Sequence, residues 1–164
     1  MRRILVTGAN KGIGLAIVKR LVKEYSDVFV YLGSRDVGRG AAAIELIVSE
    51  LGQTANERIK LLELDVTSDV SVQKAVDVVK SDLASTNDVL YGVVNNAGGG
   101  GGHRQTVELN TYGVRRVTEA FIPLIDDGGI LIFFYTCYTH YTLYTFLFFI
   151  TICSIIIINH PIYF

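Results

Sequence analysis

Hydrophobic positions along residues 1–127 alternate between two spacings. Short apolar runs that end at turn residues are typical of buried parallel strands. Segments with apolar residues three or four positions apart lie between these runs and are typical of amphipathic helices. This alternation predicts an α/β fold in which helices cover both faces of a parallel sheet. The predicted strands cover residues 3–7, 28–32, 59–64, 89–94 and 130–134.

Capping residues indicate where the predicted helices begin. The first helix covers residues 12–24. Asp36 is placed to cap a second helix that runs to about Leu51, and either Thr67 or Ser68 caps a third. The predicted buried faces carry apolar residues at helical spacing: Ile13, Ile17, Val18 and Leu21 in the first helix, and Val72, Val76 and Val79 in the third.

The order of the strands follows from the handedness of their connections. Right-handed crossovers favour the order 3-2-1-4-5, which is that of a Rossmann-type doubly wound sheet. Ligands of such sheets bind at the carboxyl ends of the strands, near the switch between strands 1 and 4. Glycines and polar residues follow strands 1 to 4 in this sequence. The pattern therefore predicts one ligand site at this edge of the sheet.

The turn after the first predicted strand carries Gly8, Gly12 and Gly14. Gly8 allows a sharp exit from the strand, and the other two let a pyrophosphate approach the backbone. The helix that follows offers free N–H groups and a favourable dipole to the phosphates. An ordinary strand-to-helix turn is the alternative. The position between the first strand and an amphipathic helix favours a dinucleotide phosphate site.

The end of the second strand indicates which dinucleotide is bound. An acidic residue there binds the ribose 2′-hydroxyl of NAD, whereas a basic residue faces the 2′-phosphate of NADP. Arg35 occupies this position, and its guanidinium geometry suits a phosphate. Asn10 and Lys11 are candidates for the same pocket. NADP is therefore favoured over NAD; the alternative is a solvated Arg35 beside an Asp36 that only caps a helix.

Polar residues also follow strands 3 and 4. The carboxylate of Asp65 can accept a hydrogen bond from the adenine amino group while Val66 lines the ring; a loop acid or a helix cap is the alternative. The fourth strand ends in Asn95-Asn96-Ala97-Gly98, which combines two amides with two small residues. Amides at this point can tie strand ends together by hydrogen bonds and leave room for a cofactor ring.

These motifs together resemble the short-chain dehydrogenase/reductase family over about residues 3–129. The matching pattern is Thr7-Gly8-x-x-x-Gly12-x-Gly14, then Asp65-Val66, Asn95-Asn96-Ala97-Gly98 and Asn110. Residues 10–18, 34–36 and 39–40 look most similar to NADPH-dependent carbonyl reductases. The resemblance implies an NADPH-binding fold that reduces a small-molecule ketone, aldehyde or quinone. The cofactor-binding residues that it implies are Gly8, Asn10, Lys11, Gly12, Ile13, Gly14, Arg35, Asp65, Val66, Asn96, Ala97 and Gly98.

Two departures from the family bear on catalysis. Its catalytic pair is Tyr-x-x-x-Lys, in which the lysine lowers the tyrosine pKa so that the phenol can protonate the substrate oxygen. The last lysine of this chain is Lys80, so no such pair follows Asn110. The family's serine at the end of strand 5 is missing, and Tyr135 and Thr136 stand at that point. We therefore expect little or no turnover from this chain.

Asn110 is the one catalytic residue that the resemblance assigns in this sequence. It lies in a helix predicted at about residues 106–125 and resembles the helix asparagine that organises the family's proton relay. A polar residue that kinks a helix is the alternative. A second class of function is also open, namely a non-catalytic NADP-binding or membrane-tethered protein. An assay of NADPH binding and turnover would distinguish it from a reductase.

Residues 130–164 form a hydrophobic tail that differs in composition from the rest of the chain. All 15 basic and 16 acidic residues lie between Arg2 and Asp127. We therefore predict an NADP-binding Rossmann domain at 1–129, incomplete after about strand 5, and a separate tail. One interpretation of the tail is a membrane span over 130–158, since this uncharged segment is long enough to cross a bilayer of ~30 Å. The favoured one is read-through into non-coding sequence, because the break falls inside a strand and removes the catalytic residues.

The incomplete sheet has consequences for solubility and location. Strand 5 is expected to be an exposed apolar edge, which predicts aggregation or membrane association. The net charge of −1 gives no indication of a nucleic-acid partner. No signal peptide is recognised at the N-terminus, so we expect a cytoplasmic protein, with membrane association through the tail as the alternative. Cys137 and Cys153 match no metal-site spacing and are interpreted as buried thiols.

Overall fold

The computed structural model describes residues 1–138 and 149–157. Its sheet has the strand order β3-β2-β1-β4-β5-β6. The pairs from β3 to β5 are parallel, whereas β6 runs antiparallel to β5. The predicted order 3-2-1-4-5 and the Rossmann-type class are therefore confirmed. The strands are β1 (Arg2–Val6), β2 (Val28–Ser34), β3 (Ile59–Glu63), β4 (Val89–Asn95), β5 (Ile125–Tyr138) and β6 (Phe149–Ile157).

Five α-helices connect the parallel strands. They are α1 (Gly12–Glu24), α2 (Val37–Leu51), α3 (Asp69–Thr86), α4 (His103–Val107) and α5 (Val114–Phe121). Short 3-10 helices cover Gln53–Arg58 and Ile122–Leu124. A π-helical turn, Glu108–Gly113, joins α4 to α5. The single helix predicted at about 106–125 is thus made of α4, the π-helical turn and α5. It begins at His103 and its last α-helical residue is Phe121.

The helix caps explain where α2 and α3 begin. The side chain of Asp36 accepts the main-chain N–H of Arg39 at 2.9 Å, as the sequence predicts. Ser68, rather than Thr67, caps α3 by accepting the N–H of Ser71 at 3.3 Å. Each cap satisfies one of the N–H groups that a helix leaves unpaired in its first turn.

The core consists of two apolar clusters, one on each face of the sheet. Neighbouring residues of a strand point to opposite faces, so Leu5 packs into the cluster under α3 and α5, whereas Ile4 and Val6 pack into the cluster under α1 and α2. The predicted buried face of α3 is confirmed, because Val72, Val76 and Val79 are all buried.

The predicted buried face of α1 is wrong at one residue. Val18 and Val22 are buried and Ile17 and Leu21 pack against the cluster, but Ile13 is 60 % exposed. Ile13 lies in the first turn of the helix, at the carboxyl edge of the sheet, and lines a cleft there. Its position above the edge, rather than its spacing, decides its burial.

The edge of the sheet differs from the expectation for strand 5. The parallel part of the sheet ends at β5, which is longer than the predicted strand 130–134. Instead of being left as an open edge, β5 pairs with β6 from Ile130↔Ile157 to Tyr138↔Phe149. The expected exposed edge at strand 5 is therefore wrong, because a later segment supplies the missing hydrogen-bonding partner.

The segment considered as a membrane span, residues 130–158, lies partly in β5 and β6 and partly, at 139–148 and 158, outside the described residues. Among the helices that the structure describes, none combines the length and the apolar character needed to cross a bilayer.

Candidate functional site

A cleft of about 840 Å³ lies at the carboxyl ends of β1 to β4, at the switch between β1 and β4. This volume falls in the range of cofactor sites, which is roughly 300–1,000 Å³. All of the predicted site residues line this cleft except Gly14 and Asn110. The lining residues are Gly8, Asn10, Lys11, Gly12, Ile13, Ser34, Arg35, Asp36, Arg39, Leu64, Asp65, Val66, Asn96, Ala97, Gly98, Gly99, Gly100 and Leu109.

The glycine turn forms the wall between β1 and α1. Gly8 and Gly12 have φ of +63° and +59°, the left-handed region that favours glycine. Gly14 lies beneath the turn and is buried. A Cβ at Gly14 would overlap the side-chain amide of Asn96 and lie 2.8 Å from the carbonyl oxygen of Gly8. The turn is therefore packed directly on the end of β4, and no side chain fits between them.

Thr7 and Asn96 join the ends of β1 and β4. The Thr7 hydroxyl accepts the main-chain N–H groups of Asn96 at 3.0 Å and Ala97 at 2.9 Å. The side-chain amide of Asn96 donates to the carbonyl oxygens of Thr7 at 2.9 Å and Gly8 at 3.2 Å. The predicted tying of strand ends by an amide is confirmed. The sequence pattern alone assigns no role to Thr7, although a hydroxyl residue directly before the first glycine is a visible signal.

The neighbouring Asn95 faces away from the cleft. Its side-chain amide donates to the hydroxyl of Thr118 on α5 at 3.1 Å, and both residues are buried. The two asparagines therefore have different roles. Asn96 fixes the turn after β1, and Asn95 fixes α5 against the sheet.

The end of β2 brings positive charge to the cleft. Arg35 is exposed and lines the cleft, and among the described residues no carboxylate pairs with it. Lys11, in the turn after the adjacent strand β1, also lines the cleft and is likewise without an ion-pair partner among these residues. Asp36 is engaged elsewhere, because it caps α2 and forms an ion pair with Arg39 at 3.4 Å. Arg35 and Lys11 are therefore available to an anion.

The segment after β3 forms another wall through Asp65 and Val66. One carboxylate oxygen of Asp65 accepts the N–H of Thr67 at 2.9 Å and its hydroxyl at 2.7 Å. The N–H of Asp65 donates to the hydroxyl of Ser71 at 2.9 Å. Val66 is 6 % exposed and presents its remaining surface to the cleft. Asp65 is therefore a loop acid held in place by its neighbours, and it also borders the cleft.

Five consecutive glycines, residues 98–102, follow β4, and Asn110 lies behind this glycine run rather than in the cleft wall. It belongs to the π-helical turn, and its side-chain oxygen accepts the N–H of Gly99 at 3.0 Å. Its side-chain nitrogen is buried and has no hydrogen-bond partner among the described residues. π-Helical turns are rare and are frequent at functional sites. Leu109 of the same turn lines the cleft together with Gly99 and Gly100, none of which the sequence had assigned.

The positions that align with the family's serine lie in the paired part of β5. Tyr135 is opposite Ile152, and Thr136 is opposite Thr151, in the ladder with β6.

Comparisons with known proteins agree on the class of protein. A family model described as short chain dehydrogenase matches residues 2–135. The mitochondrial D-beta-hydroxybutyrate dehydrogenase of Bos taurus is 31% identical over 76% of this chain and 37% of its own length. The (+)-neomenthol dehydrogenase of Arabidopsis thaliana is 32% identical over 76% of this chain and 49% of its own length. The chain thus spans less than half the length of these curated relatives.

Solved structures give the same result. Menthone neomenthol reductase from Mentha piperita matches with a TM-score of 0.71 and 30% identity, over 79% of this chain and 58% of that chain. NADPH-bound carbonyl reductase from chicken fatty liver matches with a TM-score of 0.64 and 27% identity, over 76% of this chain and 51% of that chain. An NAD-bound 3-oxoacyl-[acyl-carrier protein] reductase from Brucella melitensis matches with a TM-score of 0.58 and 26% identity, over 74% and 47%.

Proposed function

Since the chain belongs to the short-chain dehydrogenase family, we propose that it binds NADPH in the cleft and is the cofactor-binding part of a carbonyl reductase. The observation that carries the choice of cofactor is Arg35, a cleft residue at the end of β2 without a carboxylate partner among the described residues. Similar structures hold NADPH in one case and NAD in another, so the choice depends on this chain's own residues.

The residues of the cleft fit the parts of NADPH. The turn from Gly8 to Gly14 leaves room for a pyrophosphate at the first N–H groups of α1, because a Cβ at Gly12 would meet nothing within 4 Å. Arg35 and Lys11, with Asn10 beside them, would hold the 2′-phosphate. A 2′-phosphate carries a charge that a ribose hydroxyl lacks, so two available cations favour NADPH over NADH.

The other end of the cleft suits the base and the second ribose. Asp65 would accept from the adenine amino group while Val66 covers the ring. Asn96, Ala97 and Gly98 would border the ribose on the nicotinamide side. A Cβ at Gly98 would come within 3.3 Å of the side-chain oxygen of Asn110, so a side chain there would crowd this part of the cleft.

This chain lacks part of the catalytic machinery that carbonyl reduction requires. Bound NADPH would supply a hydride to the carbonyl carbon of a ketone, an aldehyde or a quinone. The substrate oxygen then needs a proton donor, and no lysine follows Lys80 to lower the pKa of a tyrosine in a Tyr-x-x-x-Lys pair. Asn110 is placed to hold the glycine run at the cleft but carries no acidic proton. We therefore expect this chain to bind NADPH with little or no turnover.

A non-catalytic NADP-binding protein is the second candidate, favoured by the same missing pair. The test is a fluorescence titration of the purified chain with NADPH, followed by mixing the complex with a quinone or an aromatic ketone. Saturable binding without loss of NADPH is the expected result. Rapid oxidation of NADPH would contradict the expected inactivity, and the absence of saturable binding would contradict both candidates.

A further inference from the structure

Asp65 and Val66 form the wall of the cleft that is proposed to bind adenine, here called the adenine wall. Arg116 of α5 contacts this wall from the side that faces away from the cleft. One terminal nitrogen of its guanidinium donates to the carbonyl oxygen of Val66 at 2.8 Å. The other donates to the carboxylate of Glu108 in the π-helical turn at 3.2 Å, and Nε pairs with Asp69 at the start of α3. The side chain of Arg116 is only 22% exposed and is not part of the cleft lining. It therefore joins three segments without being able to touch a ligand in the cleft.

The peptide unit between Val66 and Thr67 is fixed at both ends. Arg116 holds its carbonyl oxygen, and its N–H donates to the carboxylate of Asp65 at 2.9 Å. Because a peptide unit is planar, a rotation that frees the carbonyl also turns the N–H away from its acceptor. The orientation of the Asp65 carboxylate is thereby linked to the guanidinium of Arg116.

Gly113 adds a steric contact to this link. A Cβ on Gly113 would lie 2.9 Å from a methyl group of Val66 and 3.2 Å from its carbonyl oxygen. The π-helical turn thus packs closely on Val66 at the point where Arg116 binds it. This contact limits how far the wall can move towards α5, and Arg116 prevents the peptide from turning.

We propose that Arg116 is a positioning residue that sets the adenine selectivity of the cleft through the Val66–Thr67 peptide. The proposal rests on the proposed function, since it requires Asp65 to accept from the adenine amino group. It goes beyond that function by assigning base selectivity to a residue outside the cleft. A purely structural role would weaken the binding of every dinucleotide to the same extent.

The test compares NADPH with its hypoxanthine analogue, in which a carbonyl oxygen replaces the adenine amino group. A carboxylate accepts from the amino group but repels the carbonyl oxygen. A charge-assisted hydrogen bond of this kind corresponds to an affinity ratio of about tenfold or more in the unmodified chain. In Arg116→Met we expect the ratio of the two dissociation constants to fall to about twofold or less, because the carboxylate is no longer oriented.

Arg115→Met is the matched control. Arg115 pairs with Glu119 on the exposed side of the same helix and has no contact with the adenine wall, so its ratio should equal that of the unmodified chain. Asp69→Asn is a second variant in case Arg116→Met does not fold, since the Asp69 side chain is 84% exposed and the loss of its charge weakens one anchor of the guanidinium. It should lower the ratio at least twofold.

The outcomes separate this proposal from the proposed function. If the ratio of the two dissociation constants is unchanged in Arg116→Met, the role of Arg116 is overturned while NADPH binding stays intact. Where Arg116→Met does not fold, an unchanged ratio in Asp69→Asn has the same meaning. An equal fall in Arg115→Met overturns this role as well. Failure of the unmodified chain to bind NADPH overturns both, and a ratio near one in the unmodified chain overturns the adenine contact of Asp65 together with the role of Arg116.

Discussion

Thr7 and Asn96 hold each other at the base of the cleft. The hydroxyl of Thr7 accepts the main-chain N–H of Asn96 at 3.0 Å, and the side-chain amide of Asn96 donates to the carbonyl oxygen of Thr7 at 2.9 Å. The pair joins the two residues that directly follow β1 and β4, although they lie 89 positions apart in the chain. The position of the glycine turn relative to Ala97 and Gly98 therefore depends on it.

Replacing the Thr7 hydroxyl should destabilise the fold. Thr7 is 1% exposed, so Thr7→Val removes the acceptor of the Ala97 N–H and leaves the Asn96 N–H only its contact with the carbonyl oxygen of Val94 at 3.0 Å. We expect a loss of about 2 kcal/mol in the free energy of unfolding. Thr7→Ser keeps the hydroxyl and should lose less than half as much. Urea unfolding of both variants measures the difference, and equal losses would refute the role of the hydroxyl.

A methyl group at Gly14 should be destabilising for a different reason. In Gly14→Ala the new Cβ would overlap the Asn96 amide and lie 2.9 Å from the Cα of Ala9, so the glycine turn must move away from β4. We expect a cost of about 2 kcal/mol, together with a loss of NADPH affinity. Thermal unfolding and a cofactor titration measure the two effects.

Gly38→Ala is the control for this change. The nearest heavy atom to its Cβ is the Asp36 carboxylate oxygen at 3.5 Å, and the residue lies in α2. Alanine favours the helix there, so we expect a gain of about 0.5 kcal/mol. Equal stability of the two alanine variants would show that the space at Gly14 is not restricted.

The parts of the fold that repeat along the sequence could be predicted from it. Alternating strand and helix patterns fix the strand order through the handedness of crossovers. The glycine turn and Arg35 could be assigned because each directly follows a strand, and the carboxyl ends of parallel strands meet at one edge. Both line the cleft, as expected from that argument.

Other features depend on contacts between distant segments and leave no periodic signal. Ile13 has the spacing of a core residue, but the first turn of α1 extends beyond the sheet edge, so it is exposed. The π-helical turn Glu108–Gly113, which contains Asn110, lies within a segment for which the sequence predicts one continuous helix. Arg116 acts on a carbonyl group 50 residues earlier in the chain, which only the packing of α5 reveals.

Neutralising Arg35 should weaken the binding of NADPH more than that of NADH. A charge-assisted contact with the 2′-phosphate contributes about 1.5–3 kcal/mol, so Arg35→Gln should raise the dissociation constant for NADPH about tenfold or more. The dissociation constant for NADH should change less than twofold. Arg20→Gln is a matched control, because Arg20 pairs with Glu24 on the exposed side of α1 and is not part of the cleft lining. Isothermal titration calorimetry of the unmodified chain and both variants with each cofactor measures these changes, and equal losses for both cofactors in Arg35→Gln would exclude a 2′-phosphate contact at Arg35.

An ion-pair cluster at the amino ends of β1 and β4, away from the cleft, should make the free energy of unfolding depend on pH in acid. The N-terminal amine and Arg3 both bind Asp88 and lower its pKa from 3.8 to about 2. A carboxylate with a lowered pKa in the folded state stabilises the fold above pH 3.8, and this contribution is lost as the pH falls towards 2. Asp88→Asn should be less stable than the unmodified chain at pH 5, and the difference should shrink by pH 2. A difference in urea midpoint that is constant over this range would contradict the assignment.

The central claim is that the cleft selects NADPH, and competition between the two reduced cofactors for the purified chain tests it most directly. NADPH and NADH differ only in the 2′-phosphate, so the ratio of their dissociation constants isolates the contribution of Arg35 and Lys11. We predict that NADPH binds at least about tenfold more tightly than NADH, and that the ratio falls as salt screens the charges. Binding of NADH as tight as that of NADPH, or no saturable binding of either, would contradict the account.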